Sequence, residues 1–206
     1  MEWSENELPL AKWLIDKTNT KEYRKSTLTG MKHPKVDDKE NEVEIDTSWN
    51  RYGTVINAQT LEHARPTSLK SIKKIIVIEN KANYESMEYD PNVLYIFCHG
   101  YFSPKEVSFL RALMNVAPSQ VQCYHWGDMD YGGIQIFLYN RKNIFPALMP
   151  WKMDASFYEA ALEKGNGIAL SEEKRKKLEL LDAGCLETLK GCILEYGLEI
   201  EQEMQL

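Results

Sequence analysis

The chain has 206 residues, with 31 Asp and Glu against 25 Lys and Arg and a formal net charge of −6. That balance excludes a free-standing nucleic-acid-binding module that relies on an overall basic surface, so any nucleic-acid contact must use a local basic patch, a metal ion or a partner. A hydrophobic content of 43% supports a packed core, whereas no apolar run approaches the ~20 residues of a membrane span, and the acidic start Met1-Glu2-Trp3-Ser4-Glu5-Asn6-Glu7 has no signal-peptide character.

Residues 1–30 carry weak helical patterning through Trp3, Leu10, Trp13 and Leu14, and residues 30–47 are charged and poor in hydrophobes, as in a loop or linker. Residues 57–69 read as a short helix, with Asn57 as its cap and Pro66 as its end. We take residues 1–69 as a helical or irregular N-terminal extension and residues 70–206 as an α/β domain. Two basic clusters, Lys70, Lys73, Lys74 and Lys174-Arg175-Lys176-Lys177, read most simply as solvated surface.

From residue 75 the pattern changes. Ile75-Ile76-Val77-Ile78 is a β-branched run typical of a strand buried on both faces, and it stops at Glu79-Asn80. Residues 93–98 form a second such run, ending in His99-Gly100. Residues 104–116 read as a helix, with Val107, Leu110, Leu113 and Met114 on one face. Residues 121–126 form a third strand that runs into Gly127-Asp128-Met129-Asp130, and a further helix occupies 134–139. The C-terminal part reads as helices over 157–164, 171–181 and 186–196, the last closed by Gly197, followed by a tail over 199–204. Strands alternating with helices predict a mostly parallel central sheet flanked by helices, with a helical C-terminal part.

The four cysteines, Cys98, Cys123, Cys185 and Cys192, show no C-x-x-C spacing, which leaves a zinc site unsupported. Cys98 and Cys123 lie in apolar runs and read as small core residues. A reducing cytoplasm is the simplest setting.

Ligands of open α/β sheets bind beyond the carboxyl ends of the strands. Glu79 stands at one such end, and Asp128 and Asp130 stand at another. In an extended segment, acids two residues apart point to the same side. Gly132 and Gly133 then leave room for a close backbone or phosphate approach. A lone D-x-D is commonly a loop turn. Acids placed directly after two buried-type strands are as compatible with a hard cation held by carboxylates, water and phosphate, which is how Mg²⁺ binds, as with such a turn, and the patterning leaves both readings open.

The stretch from Ile75 to Tyr84, Ile-Ile-Val-Ile-Glu-Asn-Lys-Ala-Asn-Tyr, resembles the first Toprim motif of the C-terminal domain of JetD, the nuclease subunit of Wadjet anti-plasmid systems. His125-Trp126-Gly127-Asp128-Met129-Asp130-Tyr131-Gly132-Gly133 resembles the second motif, Cys98-His99-Gly100 the glycine-bearing strand end between them, and Glu201-Gln202-Glu203 a C-terminal E-Q-E signature. The resemblance covers about residues 70–206. It implies a Toprim-like fold and a DNA-cleaving centre in which Glu79, Asp128 and Asp130 are catalytic and bind Mg²⁺ (or Mn²⁺), with metal-activated water as the nucleophile. Tyr23 and Tyr52 match a tyrosine nucleophile by position only.

Lys81, His99, Gly100, His125, Gly132, Gly133 and Arg141 are candidate DNA or phosphate contacts. For each histidine the alternative is a strand-end ring satisfied by backbone, and for Arg141 a surface cation. Expected partners are double-stranded DNA, subunits of an SMC-like complex and a second copy of the chain, but no membrane. The competing expectation is a noncatalytic Toprim-fold interaction subunit of an SMC-like complex. A primase or RNA-processing role would need a nucleotide-binding or zinc element, and the sequence contains neither.

Overall fold

The computed structural model describes residues 53–69 and 71–205, together with residue 47. The chain divides into two compact units, Met1–Ala64 and Arg65–Leu206. In the first, the described helix is α1 (Ala58–His63). Asn57 caps it as expected, its Oδ1 accepting from Thr60 N at 2.8 Å, but the helix ends before Pro66 rather than at it. The expectations for residues 1–46, including the Trp3–Leu14 patterning and Tyr23, lie outside the described residues, as does Tyr52.

The second unit is built on a four-stranded sheet: β1 (Lys74–Ile78), β2 (Val93–Phe97), β3 (Gln122–Trp126) and β4 (Met149–Pro150). All pairings are parallel, in the order β2-β1-β3-β4. This is the expected mostly parallel sheet flanked by helices. Ile75–Ile78 are at most 6% exposed, and each such side chain contributes roughly 1.5–3 kcal/mol by leaving water. The second apolar run behaves differently. β2 is an edge strand among the described residues, and all five of its residues are only half-buried, because no described strand lies on its other side.

The crossovers are helices α2 (Lys81–Glu85), α3 (Pro104–Val116) and α4 (Tyr131–Asn143). Asn80 caps α2, accepting from Ala82 N and Asn83 N. A capping box starts α3: Glu106 N donates to Ser103 Oγ and Ser103 N donates to Glu106 Oε2, with Pro104 in the first turn. Asp130 caps α4, whose Ile134, Ile136 and Phe137 are buried, with Phe137 edge-on to His125 of β3.

The C-terminal part carries α5 (Ala155–Glu163), α6 (Glu172–Leu180) and α7 (Glu187–Tyr196). Ser171 caps α6, and Gly197 closes α7 at φ +66°, a left-handed conformation that glycine adopts without penalty. This part is not purely helical, because β5 (Ile168–Ala169) and β6 (Leu198–Glu199) form an antiparallel pair. Directly after β6, Ile200 makes a two-way backbone bridge with Met129: Met129 N donates to Ile200 O at 2.8 Å and Ile200 N to Met129 O at 3.2 Å. The chain end is thereby tied to the loop that follows β3.

Candidate functional site

β1 and β3 run in register, Lys74 opposite Gln122 and Ile78 opposite Trp126. One further step, Glu79 N donating to Trp126 O at 3.0 Å, carries that alignment past both strand ends. Glu79 therefore leaves β1 beside Gly127, where β3 gives way to Asp128. A side chain at position 127 would not fit. A Cβ there would stand 2.5 Å from Glu79 Oε2 and 2.9 Å from His125 Nε2, so Gly127 makes room for the Glu79 carboxylate.

Glu79 Oε2 is buried and has no hydrogen-bond partner. Burial pushes the Glu79 carboxyl up to about 8, the neighbouring Asp128 and Asp130 charges add to that, and the Asp128 backbone amide partly opposes it. Asp128 is itself raised above the ordinary carboxylate range, first by burial and then by Asp130, Glu201 and Glu203, against the Gln202 amide that bonds it. The three predicted acids thus form one electrostatic group.

They are not equivalent. Asp128 Oδ1 accepts from Gln202 N at 2.6 Å. Asp130 Oδ1 caps α4 by accepting from Gly133 N at 2.7 Å, and its Oδ2 faces Lys174 Nζ at 3.1 Å. Lys174 Nζ also binds Glu199 Oε2 at 2.9 Å. Among the described residues no three His, Cys, Asp or Glu side chains are gathered to hold a metal ion. A partial site remains, with Glu79 and Asp128 as two carboxylates, one bearing an orphaned buried oxygen. That donor set fits Mg²⁺ or Mn²⁺, which commonly take one or two protein carboxylates and complete their shell with water and phosphate.

The C-terminal tail closes the site. Gln202 is fully buried. Its Oε1 accepts from Asn80 N at 2.7 Å, its carbonyl accepts from Asn83 Nδ2 at 3.0 Å, and its N–H holds Asp128. One residue therefore links the segment after β1 to the segment after β3. Glu201 and Glu203 beside it are exposed.

A family model described as "Wadjet protein JetD, C-terminal" matches residues 35–205. The chain belongs to this JetD C-terminal family. A relative, "Wadjet protein JetD" of Bacillus cereus (strain Q1), is 34% identical over 137 residues, which is 64% of this chain and 33% of the relative. The alignment spans about a third of that relative's length. The family match also begins at residue 35, upstream of the motifs that start near residue 75.

The remaining candidates of this JetD-family chain scatter in role. Lys81 pairs with Glu85 at 3.7 Å along α2, and His99 Nε2 lies 3.6 Å from Glu106 Oε1. Gly100 has φ +110°, with its carbonyl accepting from Cys98 Sγ at 2.6 Å. Arg141 Nη1 donates to Cys185 Sγ at 2.7 Å, near the far end of α4 from Asp130. Gly132 is half-buried at the start of α4. Gly133 packs closely on the segment after β3, where a Cβ would stand 2.1 Å from the Asp128 carbonyl oxygen.

His125 is fully buried, edge-on to Phe137, and neither ring nitrogen has a partner. Burial pushes its imidazole down to about 3, which favours the neutral ring, and no backbone group bonds either nitrogen. Trp126, Cys98 and Cys123 lie in the core. Lys174 is the residue at the candidate site that sequence reasoning missed. Within a run of four cations it resembled solvated surface, yet it bridges two acids that are 44 and 25 residues away.

Proposed function

We propose that this chain carries the Toprim-type, Mg²⁺- or Mn²⁺-dependent DNA-cleaving centre of a Wadjet-type plasmid and phage defence protein. The observation that carries the reading is the pairing of Glu79 and Asp128 beyond adjacent parallel strand ends, with Glu79 Oε2 buried, unpartnered and electrostatically strained. A divalent cation would relieve that strain, and when bound it would supply Lewis-acid polarisation of a phosphodiester and a source of activated water. Glu79 and Asp128 would hold it, and Asp130 would complete the acidic group while fixing the start of α4. Gln202 bonds both acid-bearing segments, at Asn80 and at Asp128. Membership of the JetD C-terminal family supports a place in Wadjet defence.

Double-stranded DNA is the proposed substrate, and SMC-like complex subunits and a second copy of the chain are the proposed partners, in the cytoplasm. The N-terminal extension, 1–69, is proposed to serve DNA or partner engagement, with 70–206 carrying the chemistry. Among the described residues no helix is long and apolar enough to cross a membrane.

A noncatalytic interaction subunit is the second reading. It is favoured by the engagement of Asp130 with Lys174 in place of a three-carboxylate cage. Incubating the purified chain with supercoiled plasmid and Mg²⁺ or Mn²⁺ separates the two. The nuclease reading expects nicking or cutting that Asp128→Ala and Glu79→Ala each abolish while circular dichroism stays native. Cleavage unchanged in both variants, or no Mn²⁺ binding by calorimetry, would sink it and leave the interaction reading.

A further inference from the structure

We infer that Lys174 is a positioning residue whose ammonium is the resident cation of the Asp130–Glu199 end of the site, so that the centre takes one divalent ion, at Glu79 and Asp128. The inference rests on the metal-dependent reading above and goes beyond it by fixing the number of ions.

The geometry supports it in three ways. Lys174 Nζ stands 3.1 Å from Asp130 Oδ2 and 2.9 Å from Glu199 Oε2, so one ammonium neutralises two carboxylates. Glu199 is only 5% exposed, and its other oxygen, Oε1, is buried with no partner. A buried carboxylate in that condition requires a counter-charge close by, and Lys174 is the cation bonded to it. Third, the ammonium is well anchored. Ser171 caps α6 by accepting from Lys174 N, which fixes the residue in the first helical turn, while β6 places Glu199 one residue before the Ile200–Met129 bridge. The same bridge positions the loop that carries Asp128 and Asp130.

Two-metal centres hold their ions roughly 4 Å apart and use acids at both ends. Here the second end is already satisfied by a side-chain cation. An ammonium has three donors, and two are committed to carboxylates. The third, on a side chain that is 42% exposed, is left for an anionic oxygen of a ligand at the Asp130 side. Lys174 would thus orient Asp130 and neutralise it without a second ion.

The test is Mn²⁺ titration of the full chain by calorimetry, with Mn²⁺ electron paramagnetic resonance as an independent count. The wild type and Lys174→Arg are expected to take one ion per chain. Lys174→Met frees Asp130 and Glu199, so it is expected either to take a second ion or to bind the first about tenfold more tightly, the direction set by removing a nearby positive charge. Plasmid cleavage by the same variant is expected to fall. Tighter metal with slower cleavage is a split that loss of a merely structural contact does not produce. If Lys174→Met does not fold, the pair Lys174→Met with Glu199→Gln removes the buried acid together with its counter-ion, and tighter binding is still expected because Asp130 is free. Two ions in the wild type, or unchanged or weaker binding in the folded variant, would overturn the inference while leaving the metal-dependent reading intact. A wild type that takes no Mn²⁺ refutes that reading itself, and the inference with it.

Discussion

Gln202 N donates to Asp128 Oδ1 at 2.6 Å across 74 residues of sequence. The same residue accepts from Asn80 N through its side chain and from Asn83 Nδ2 through its carbonyl. The two acid-bearing strand ends are therefore braced by the C-terminal tail as well as by sheet hydrogen bonds, and the site depends on the last turn of the chain.

Replacing Gln202 with Ala leaves the two backbone-mediated bonds in place but orphans the Asn80 N–H. An unsatisfied donor costs about 1–3 kcal/mol when buried; at the half-buried Asn80 the lower part of that range is expected, and for a unit of this size each kcal/mol lowers Tm by roughly 2–4 °C. Thermal unfolding followed by circular dichroism checks the magnitude. A Tm equal to that of the wild type would mean that Gln202 Oε1 is not a structural acceptor.

Gly132 and Gly133 are neighbours with opposite expected tolerance. A Cβ on Gly133 would meet the Asp128 carbonyl oxygen at 2.1 Å, a backbone atom that cannot step aside, whereas on Gly132 it would meet Asp130 Oδ1 at 3.3 Å. Gly133→Ala should cost more than about 3 kcal/mol or prevent folding. Gly132→Ala should change stability by less than about 1 kcal/mol, since alanine's helix propensity offsets the small side-chain adjustment. Urea unfolding of the two variants side by side tests the contrast.

Much of the fold follows from local signals. The run Ile75-Ile76-Val77-Ile78 specifies a buried central strand, Pro104 and the residues after it a helix, and Gly197 a helix end. The acids were legible because they follow such strands directly. β4, β5 and β6 were not, because two residues carry no periodicity and their pairing is set by distant partners. The edge position of β2 was hidden for a related reason, since Val93-Leu94-Tyr95-Ile96-Phe97 reads like a central strand and only the sheet order exposes it. The Lys174 ion pairs and the Gln202 brace are long-range contacts between residues whose types are common on surfaces, so no local pattern distinguishes them.

Glu79 makes stability depend on pH. Its folded pKa, about 8, lies above the ordinary value of 4.5, so the folded state binds this proton more tightly than the unfolded state. That contribution is fully present below pH 4.5 and is lost as pH rises through 8. Glu79→Gln removes the titration. In EDTA the variant should therefore gain on the wild type as pH rises, by an amount on the order of 3–5 kcal/mol near pH 9 if no other group compensates, with the slope vanishing below about pH 4.5. Unfolding measured from about pH 3.5 to 9 gives both curves, including the plateau below the unfolded value. Added Mn²⁺ should flatten the wild-type slope by favouring the ionised carboxylate, and should leave the variant's curve unchanged.

Gly127→Ala separates the site from the fold. The added methyl carbon would stand 2.5 Å from Glu79 Oε2 and 2.9 Å from His125 Nε2. His125 is enclosed by the core and edge-on to Phe137, so it has little freedom to yield. The Glu79 carboxylate is the far end of a flexible side chain and is the group that moves. The cost in stability should stay within about 1–3 kcal/mol, the usual range for overpacking. The Glu79 oxygen meanwhile leaves the position it shares with Asp128, and misplacement of a reacting or ligating group by about 1 Å can cost roughly 100-fold in rate. Mn²⁺ affinity should fall together with plasmid cleavage, in a protein that still unfolds cooperatively. If cleavage and Mn²⁺ affinity both survive in Gly127→Ala, then the Glu79 carboxylate is not held at the reacting centre by the absence of a side chain at 127.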